Sequence, residues 1–314
     1  MAGDLGAAYV SVEHLARFEW RARGLSLLPR QRRGSVLAGQ HGSRVRGRGL
    51  DFEEIRAYLP GDDVRNLDWR VTLRTGRPQV RAYSEERDRP VLVVVDQRMS
   101  MFFGTRRALK SVVAAEVAAL VAWMAFRAGD RVGAVVFGDS DLVRISALRS
   151  RARVHQVLGA IAARNTALRA DLAVTPGDGM LDRALESALH AATHDHLVCV
   201  VSDFAGAGER TLELLRALGA HNDVVGVLVF DPAARASGGR GELVASSGEL
   251  QVELDLADRK LREPLESFFA GRLVRVAELL RRAAAPLFAI STDRDPVEEM
   301  SRLLGRGRRG PAHA

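Results

Sequence analysis

Five short apolar runs, at residues 91–95, 131–137, 197–202, 224–230 and 287–290, alternate with stretches whose apolar residues recur at helical spacing. Runs rich in Val, Leu and Ile without polar alternation suit strands buried on both faces, and such strands belong to parallel sheets covered by helices. The helical stretches read as 106–127, 151–163, 180–193, 209–218 and 256–284. This order predicts an α/β fold: a Rossmann-like, open, mostly parallel sheet with helices on both faces.

What precedes the first run is different in kind. Apolar positions Val12, Leu15, Phe18, Leu25 and Leu28 predict one amphipathic helix over 11–28, ended by Pro29. Residues 30–49 are rich in Arg, Gly, Ser and Gln and read as a solvated segment. Pro60-Gly61-Asp62-Asp63 predicts a tight turn joining 52–59 to 64–73 as a hairpin. A second hairpin, turning at Ser246-Ser247-Gly248, is expected to extend the sheet edge within 238–253. The expected division is a helix and hairpin subdomain at 1–88, the α/β domain at 89–304 and a disordered tail at 305–314.

At 314 residues with 47% hydrophobic content, the chain can bury a large core. Cys199 has no internal partner for a disulfide, which suits a reducing compartment. The first ten residues carry Asp4 and no apolar signal-peptide core, and Glu116 interrupts the apolar stretch 111–126. That stretch is also shorter than the roughly 20 residues that span a bilayer, so the expectation is a cytoplasmic protein that is not transmembrane. Lysine occurs only at Lys110 and Lys260, so the net charge of +7 is arginine. Arginine suits bidentate pairing with carboxylates as much as nucleic acid. The run Arg30, Arg32, Arg33, Arg44, Arg46 and Arg48 lacks aromatic residues for base stacking, which disfavours nucleic acid.

Ligands of open α/β sheets bind beyond the carboxyl ends of the strands. Two loops there open with an acid: Asp96-Gln97-Arg98-Met99-Ser100 and Ser202-Asp203-Phe204. Paired carboxylates invite a hard cation with oxygen ligands, whereas helix capping or arginine pairing needs no ion. His190, His194, His196 and Cys199 offer zinc-binding types, but a helix end favouring imidazoles explains them as well. No P-loop or Gly-x-Ser-x-Gly elbow occurs, and Gly305-Arg306-Gly307-Arg308-Arg309-Gly310 fits a dinucleotide pattern without opening a βαβ unit.

The first loop resembles the Asp-x-Ser-x-Ser loop of von Willebrand factor type A domains. The longer string from Arg56-Ala57-Tyr58-Leu59-Pro60-Gly61-Asp62-Asp63 to Asp68-Trp69, with Thr72 to Arg74, Pro78 to Arg81 and Glu85-Glu86-Arg87, resembles a bacterial family. That family, domain of unknown function 58, carries a type A-like domain behind this signature. The resemblance implies a metal-ion-dependent adhesion site at Asp96, Ser100 and Asp203, with Mg2+ as the cation where one is bound. It also implies partnership with a MoxR-type AAA+ ATPase.

The site departs from that pattern. Arg98 stands where the first serine is expected, and Met180 where the resemblance places a threonine. A guanidinium about 4 Å from a divalent ion repels it by roughly 8 kcal/mol at an effective dielectric near 20. A thioether does not replace a hard oxygen ligand. The expectation is therefore a degenerate site with no bound cofactor, in which Arg98 pairs with Asp96 and Asp203 and receives a partner's carboxylate. Tyr58, Asp62, Asp63, Arg65 and Trp69 form a second candidate surface, since Trp, Tyr and Arg dominate interface hot spots. The functional expectation is a non-enzymatic adaptor. The alternatives are a divalent-metal-dependent hydrolase or nuclease using Asp96 and Asp203, and a nucleic-acid binder using the arginine-rich segment.

Overall fold

The computed structural model describes residues 8–26, 50–58, 64–85, 89–169, 179–232, 242–246, 251–255 and 259–305, with side chains at 50–54, 82–85 and 242–270 left aside. In chain order the elements begin with α1 (Val12–Ala16), α2 (Phe18–Arg21), β1 (Leu50–Ala57), α3 (Trp69–Thr75) and β2 (Gln79–Glu85). Next come β3 (Pro90–Asp96), α4 (Lys110–Arg127), β4 (Arg131–Phe137), β5 (Leu142–Leu148), α5 (Arg151–Ala167) and α6 (Met180–Ala191). The chain continues through β6 (Leu197–Ser202), α7 (Glu209–Gly219), β7 (Asp223–Phe230), β8 (Glu242–Ser246) and β9 (Gln251–Asp255). It ends with α8 (Arg259–Arg282), β10 (Leu287–Ser291) and α9 (Pro296–Leu303). Two compact units result, one of residues 39–88 and one of the remainder.

In the larger unit a six-stranded sheet runs β10-β7-β6-β3-β4-β5. All pairings are parallel except β4 with β5. The five expected strands are there. The sixth, β5, escaped the sequence reading because only Ile145 of it is buried and it carries Arg144 and Ser146, as an edge strand can. β3 is buried along its whole length. Its residues alternate between two cores, Val91, Val93 and Val95 packing with α4 and α5, and Leu92 and Val94 with α6 and α7. Chain order reverses across β3, which lies between β4 and β6, and such reversals open a crevice at the carboxyl edge.

Helix α4 is buried from Lys110 to Ala125, which accounts for its apolar sequence without a membrane. Among the described residues no helix is long and apolar enough to cross one. Glu116 is tolerated inside because Arg107 Nη2 donates to it at 2.8 Å and His14 Nε2 lies 2.9 Å away. Desolvation opposes its charge, yet His14 and Arg107 hold its carboxyl below the ordinary value.

Two sequence expectations change here. The single helix over 11–28 is two short ones, because at Arg17 the bonding tightens to His14 O and then Trp20 N reaches back only to Arg17 O. The 238–253 hairpin exists as β8 and β9, but as a separate two-stranded sheet.

In the smaller unit the hairpin is also re-partnered. β1 pairs antiparallel with β2, not with 64–73, which instead forms a 3-10 turn at Val64–Asn66 and then α3. Asp68 explains the choice. Its Oδ1 accepts from Arg70 N and Val71 N at 3.1 Å each, capping α3, while Oδ2 accepts from Arg81 Nε at 2.8 Å. Thr72 Oγ1 accepts from Gln79 N at 2.9 Å, and Gly76 in the left-handed region ends the helix. The turn at 60–63, the segment 30–49 and the tail 306–314 lie outside the described residues.

Candidate functional site

Asp96 ends β3 and is fully buried. A bare carboxylate there would be costly, so its partners define the site. Arg98 supplies most of them: backbone N donates to Oδ1 at 3.0 Å, Nε to Oδ1 at 3.0 Å and Oδ2 at 3.2 Å, and Nη2 to Oδ2 at 2.7 Å. Ser202 Oγ adds a donor to Oδ2 at 2.6 Å. The fork geometry of arginine is what makes so compact a pair possible between residues two apart. Burial alone would depress the Arg98 guanidinium, but Asp96, then Asp203 and Asp139, hold it above its ordinary value.

Asp203 follows β6 and is also buried. Lys110 Nζ donates to its Oδ2 at 2.6 Å, Arg272 Nη2 lies 3.2 Å from the same oxygen, and Arg98 Nη2 lies 3.9 Å from Oδ1. Ala205 N donates to Oδ1 at 2.9 Å, and Ser100 Oγ to the same atom at 3.4 Å. Desolvation pushes the Asp203 carboxyl up, yet the charges of Lys110, Arg272 and Arg98 leave it well below the usual range. Two carboxylates thus face three cations.

The loop after Asp203 is held by the same groups. Phe204 adopts φ +53°, rare for a bulky residue, and its N–H donates to Ser202 Oγ at 2.8 Å. Arg98 Nη1 donates to Ala205 O at 3.1 Å. On the other side, Met99 N donates to Asp139 Oδ2 at 2.7 Å. Below the loop, Gln97 Nε2 donates to Ser111 O at 2.9 Å and its Oε1 accepts from Asn165 Nδ2 at 3.0 Å. Asn165 Oδ1 in turn accepts from Val10 N at 2.8 Å, so a chain of buried amides links the amino-terminal segment to this loop.

Of the sequence candidates, Asp96, Arg98, Ser100 and Asp203 converge. Met180 is buried at the start of α6, where Arg183 Nη1 lies 3.5 Å from its sulfur, and it offers no oxygen. One expectation is corrected: Arg98 is only 7% exposed in its side chain and fully engaged by Asp96 and Ala205, so it does not stand ready to receive an outside carboxylate. The zinc types stay apart. His190 Nδ1 donates to Glu186 O, His196 Nδ1 to His194 O, and burial pushes the Cys199 thiol up to about 12. Among the described residues no group of three or more His, Cys, Asp or Glu is placed to hold a metal.

Sequence reasoning missed Lys110, Ser202 and Arg272. Lys110 carried a signal, being one of two lysines in an arginine chain and opening the apolar helix. Arg272 carried none, since only the packing of α8 brings it to Asp203. In the smaller unit Trp69 is 65% exposed and Leu73 84%, one helical turn apart, and Val64 and Arg65 are exposed beside them in sequence. Tyr58 is half-buried, and Asp62 and Asp63 lie outside the described residues.

The residues present do not fit a divalent cation. Every Asp96 and Asp203 oxygen already accepts a donor, mostly cationic, and Met180 offers only a thioether sulfur. Calorimetric titration with magnesium is expected to show no tight binding to wild type. Tight binding would overturn this reading, and the Arg98→Ser variant reports whether Arg98 alone excludes the ion.

The chain matches the family described as protein of unknown function DUF58 over residues 54–271. It belongs to the DUF58 family. The DUF58 match spans Asp68, Asp96, Arg98, Lys110, Met180 and Asp203 and stops one residue short of Arg272. An uncharacterized protein of Mycobacterium tuberculosis is 32% identical to this DUF58 protein over 292 residues, covering 92% of this chain and 89% of the relative. An uncharacterized protein of Mycobacterium avium is 26% identical over 133 residues, covering 42% of this chain and 78% of its own. Among solved structures, the conserved hypothetical protein BatB from Bacteroides thetaiotaomicron aligns with TM-score 0.44 and 13% identity, over 68% of this chain and 98% of that one. An aerotolerance-related membrane protein from Bacteroides fragilis aligns with TM-score 0.43 and 11% identity, over 70% and 100% of the two chains. These two structural similarities are too distant to bear on fold or function.

Proposed function

We propose that this DUF58 protein is a non-enzymatic, cytoplasmic interaction module with a von Willebrand factor A-like fold and a degenerate adhesion site. In this reading it acts as an adaptor for a MoxR-type AAA+ ATPase in the assembly or maturation of a protein complex. The observation that carries it is the Arg98 guanidinium lying on both oxygens of Asp96, where a type A adhesion site would hold its cation. A hydrolase or nuclease needs a metal-bound or otherwise activated nucleophile. Here the two acids are neutralised from within, which speaks against the Asp96 and Asp203 hydrolase alternative. What such a site retains is shape: a loop edge fixed by buried ion pairs, suited to recognition more than to turnover. The exposed Trp69 and Leu73 of α3 supply a second contact surface in the smaller unit.

Affinity purification from the native cell tests the proposal, with wild type and Asp96→Ala compared after circular dichroism confirms folding of both. Recovery of an AAA+ ATPase by wild type, reduced for Asp96→Ala, is the expected result. A divalent-dependent hydrolytic activity that disappears in folded Asp96→Ala would sink the non-enzymatic reading.

A further inference from the structure

Arg98 and Asp203 do more than neutralise one another, because their contacts shape an adjoining cleft. Residues Phe204 to Ala207 form one wall and α8 the other, through Arg272, Arg275, Val276 and Leu279. The cavity between them measures about 230 Å³, below the roughly 300–1,000 Å³ of small-ligand pockets. Of its lining, Val276 and Phe204 are buried and Ala207 and Leu279 half-buried. Its capacity therefore suits one apolar side chain, which is the shape of an interface hot spot.

The rim is cationic. Arg272 is 24% exposed in its side chain and is tied inward by Asp203, whose carboxylate and carbonyl it contacts at 3.2 Å each. One turn away, Arg275 is exposed and makes no ion pair with the described residues. Glu278, three residues along α8, is already taken by Arg281, and Glu209 by Arg282. An apolar anchor entering the cleft thus meets an arginine that has no counter-charge among the described residues.

We propose that this cleft binds a segment of a partner protein in which an apolar side chain is flanked by acidic residues, the anchor filling the cavity and a carboxylate pairing with Arg275. The proposal rests on the interaction-module reading and moves the carboxylate receptor from Arg98, which is sealed, to α8. It also gives the buried ion pairs a task. Phe204 and Gly206 both hold positive φ, and the strained wall is kept in place by Arg98 Nη1 on Ala205 O and by Asp203 Oδ1 on Ala205 N. A wall fixed before binding loses less entropy on binding.

A fluorescein-labelled acetyl-Glu-Glu-Leu-Glu-Glu amide, followed by anisotropy on the full-length protein, is the probe. Saturable binding is expected, weakened about tenfold or more by Arg275→Glu, by Ala207→Phe, which fills the cavity, and by exchanging leucine for serine in the peptide. Glutamine in place of the glutamates should weaken it too, and so should salt raised to about 0.5 M. Absence of binding to wild type overturns the proposal, as does equal binding by Arg275→Glu or by the serine peptide. Native-cell purification separates this failure from that of the adaptor reading. If Arg275→Glu still recovers the wild-type ATPase, the cleft is not the receptor but the module reading stands; if wild type recovers no ATPase, the adaptor reading itself fails.

Discussion

Arg98→Met should lower the unfolding free energy of the larger unit by about 3–5 kcal/mol, the cost of leaving one member of a buried ion pair without the other. Asp96 is fully buried, and Arg98 donates four hydrogen bonds to it, three from the guanidinium. Ser202 Oγ and the Arg98 backbone N–H would remain as donors, too few to carry a charge in that position. Urea denaturation followed by circular dichroism reads the loss. The double variant Asp96→Asn/Arg98→Met should regain more than half of it, since the neutral amide keeps an oxygen for the loop N–H and no longer needs a cation. A loss below about 1 kcal/mol for the single variant, typical of an exposed pair, would show that the interaction is not buried in solution.

The same variant separates stability from recognition. Arg98 lines no part of the cleft, yet it donates to Ala205 O in the cleft wall. Removing it should therefore weaken acidic peptide binding although no group that touches the peptide has changed. Arg275→Glu should do the reverse, abolishing binding while leaving the urea midpoint in place, because Arg275 is exposed and makes no ion pair among the described residues.

The central sheet was legible because parallel strands buried on both faces leave continuous apolar runs, and β3, β6 and β7 are of that kind. β5 was not, since an antiparallel edge strand carrying Arg144 has no such run. The pairing of Asp96 with Arg98 could be read from local sequence, as the two stand two residues apart on one loop. Arg272 lies 69 residues from Asp203, and its role depends on where α8 packs. The smaller unit misled for a different reason. Pro60 to Asp63 has strong turn chemistry, but Asp68 as an N-cap converts the following residues into α3 and sends β1 to pair with β2. Local turn signals fix where a chain bends; hydrogen bonds to a capping carboxylate decided which strands met.

Asn165→Leu should cost about 2–6 kcal/mol, because it strands two buried polar groups at roughly 1–3 kcal/mol each. Val10 N loses its acceptor and Gln97 Oε1 its donor, both at sites where water has little access. The damage should be directional. Val10, Leu15 and Phe18 dock the amino-terminal segment on the core containing α4, and Trp123 Nε1 donates to Leu15 O at 3.3 Å, so that segment loses one of its anchors. Gln97 sits between Asp96 and Arg98, so the loop loses part of its floor at the same time. Amide hydrogen exchange should accelerate at 10–22 and 97–103 while β7 and β10 keep their protection. Gln97→Leu is the control that tests the coupling: it strands Asn165 Nδ2 and removes a second donor from Ser111 O but leaves Val10 N bonded to Asn165 Oδ1. Faster exchange confined to the loop in Gln97→Leu, against both regions in Asn165→Leu, is the pattern that a relay of buried amides requires. Equal acceleration throughout the unit in both variants would reduce the relay to general destabilisation, and the amino-terminal segment would then have no specific connection to the Asp96 loop.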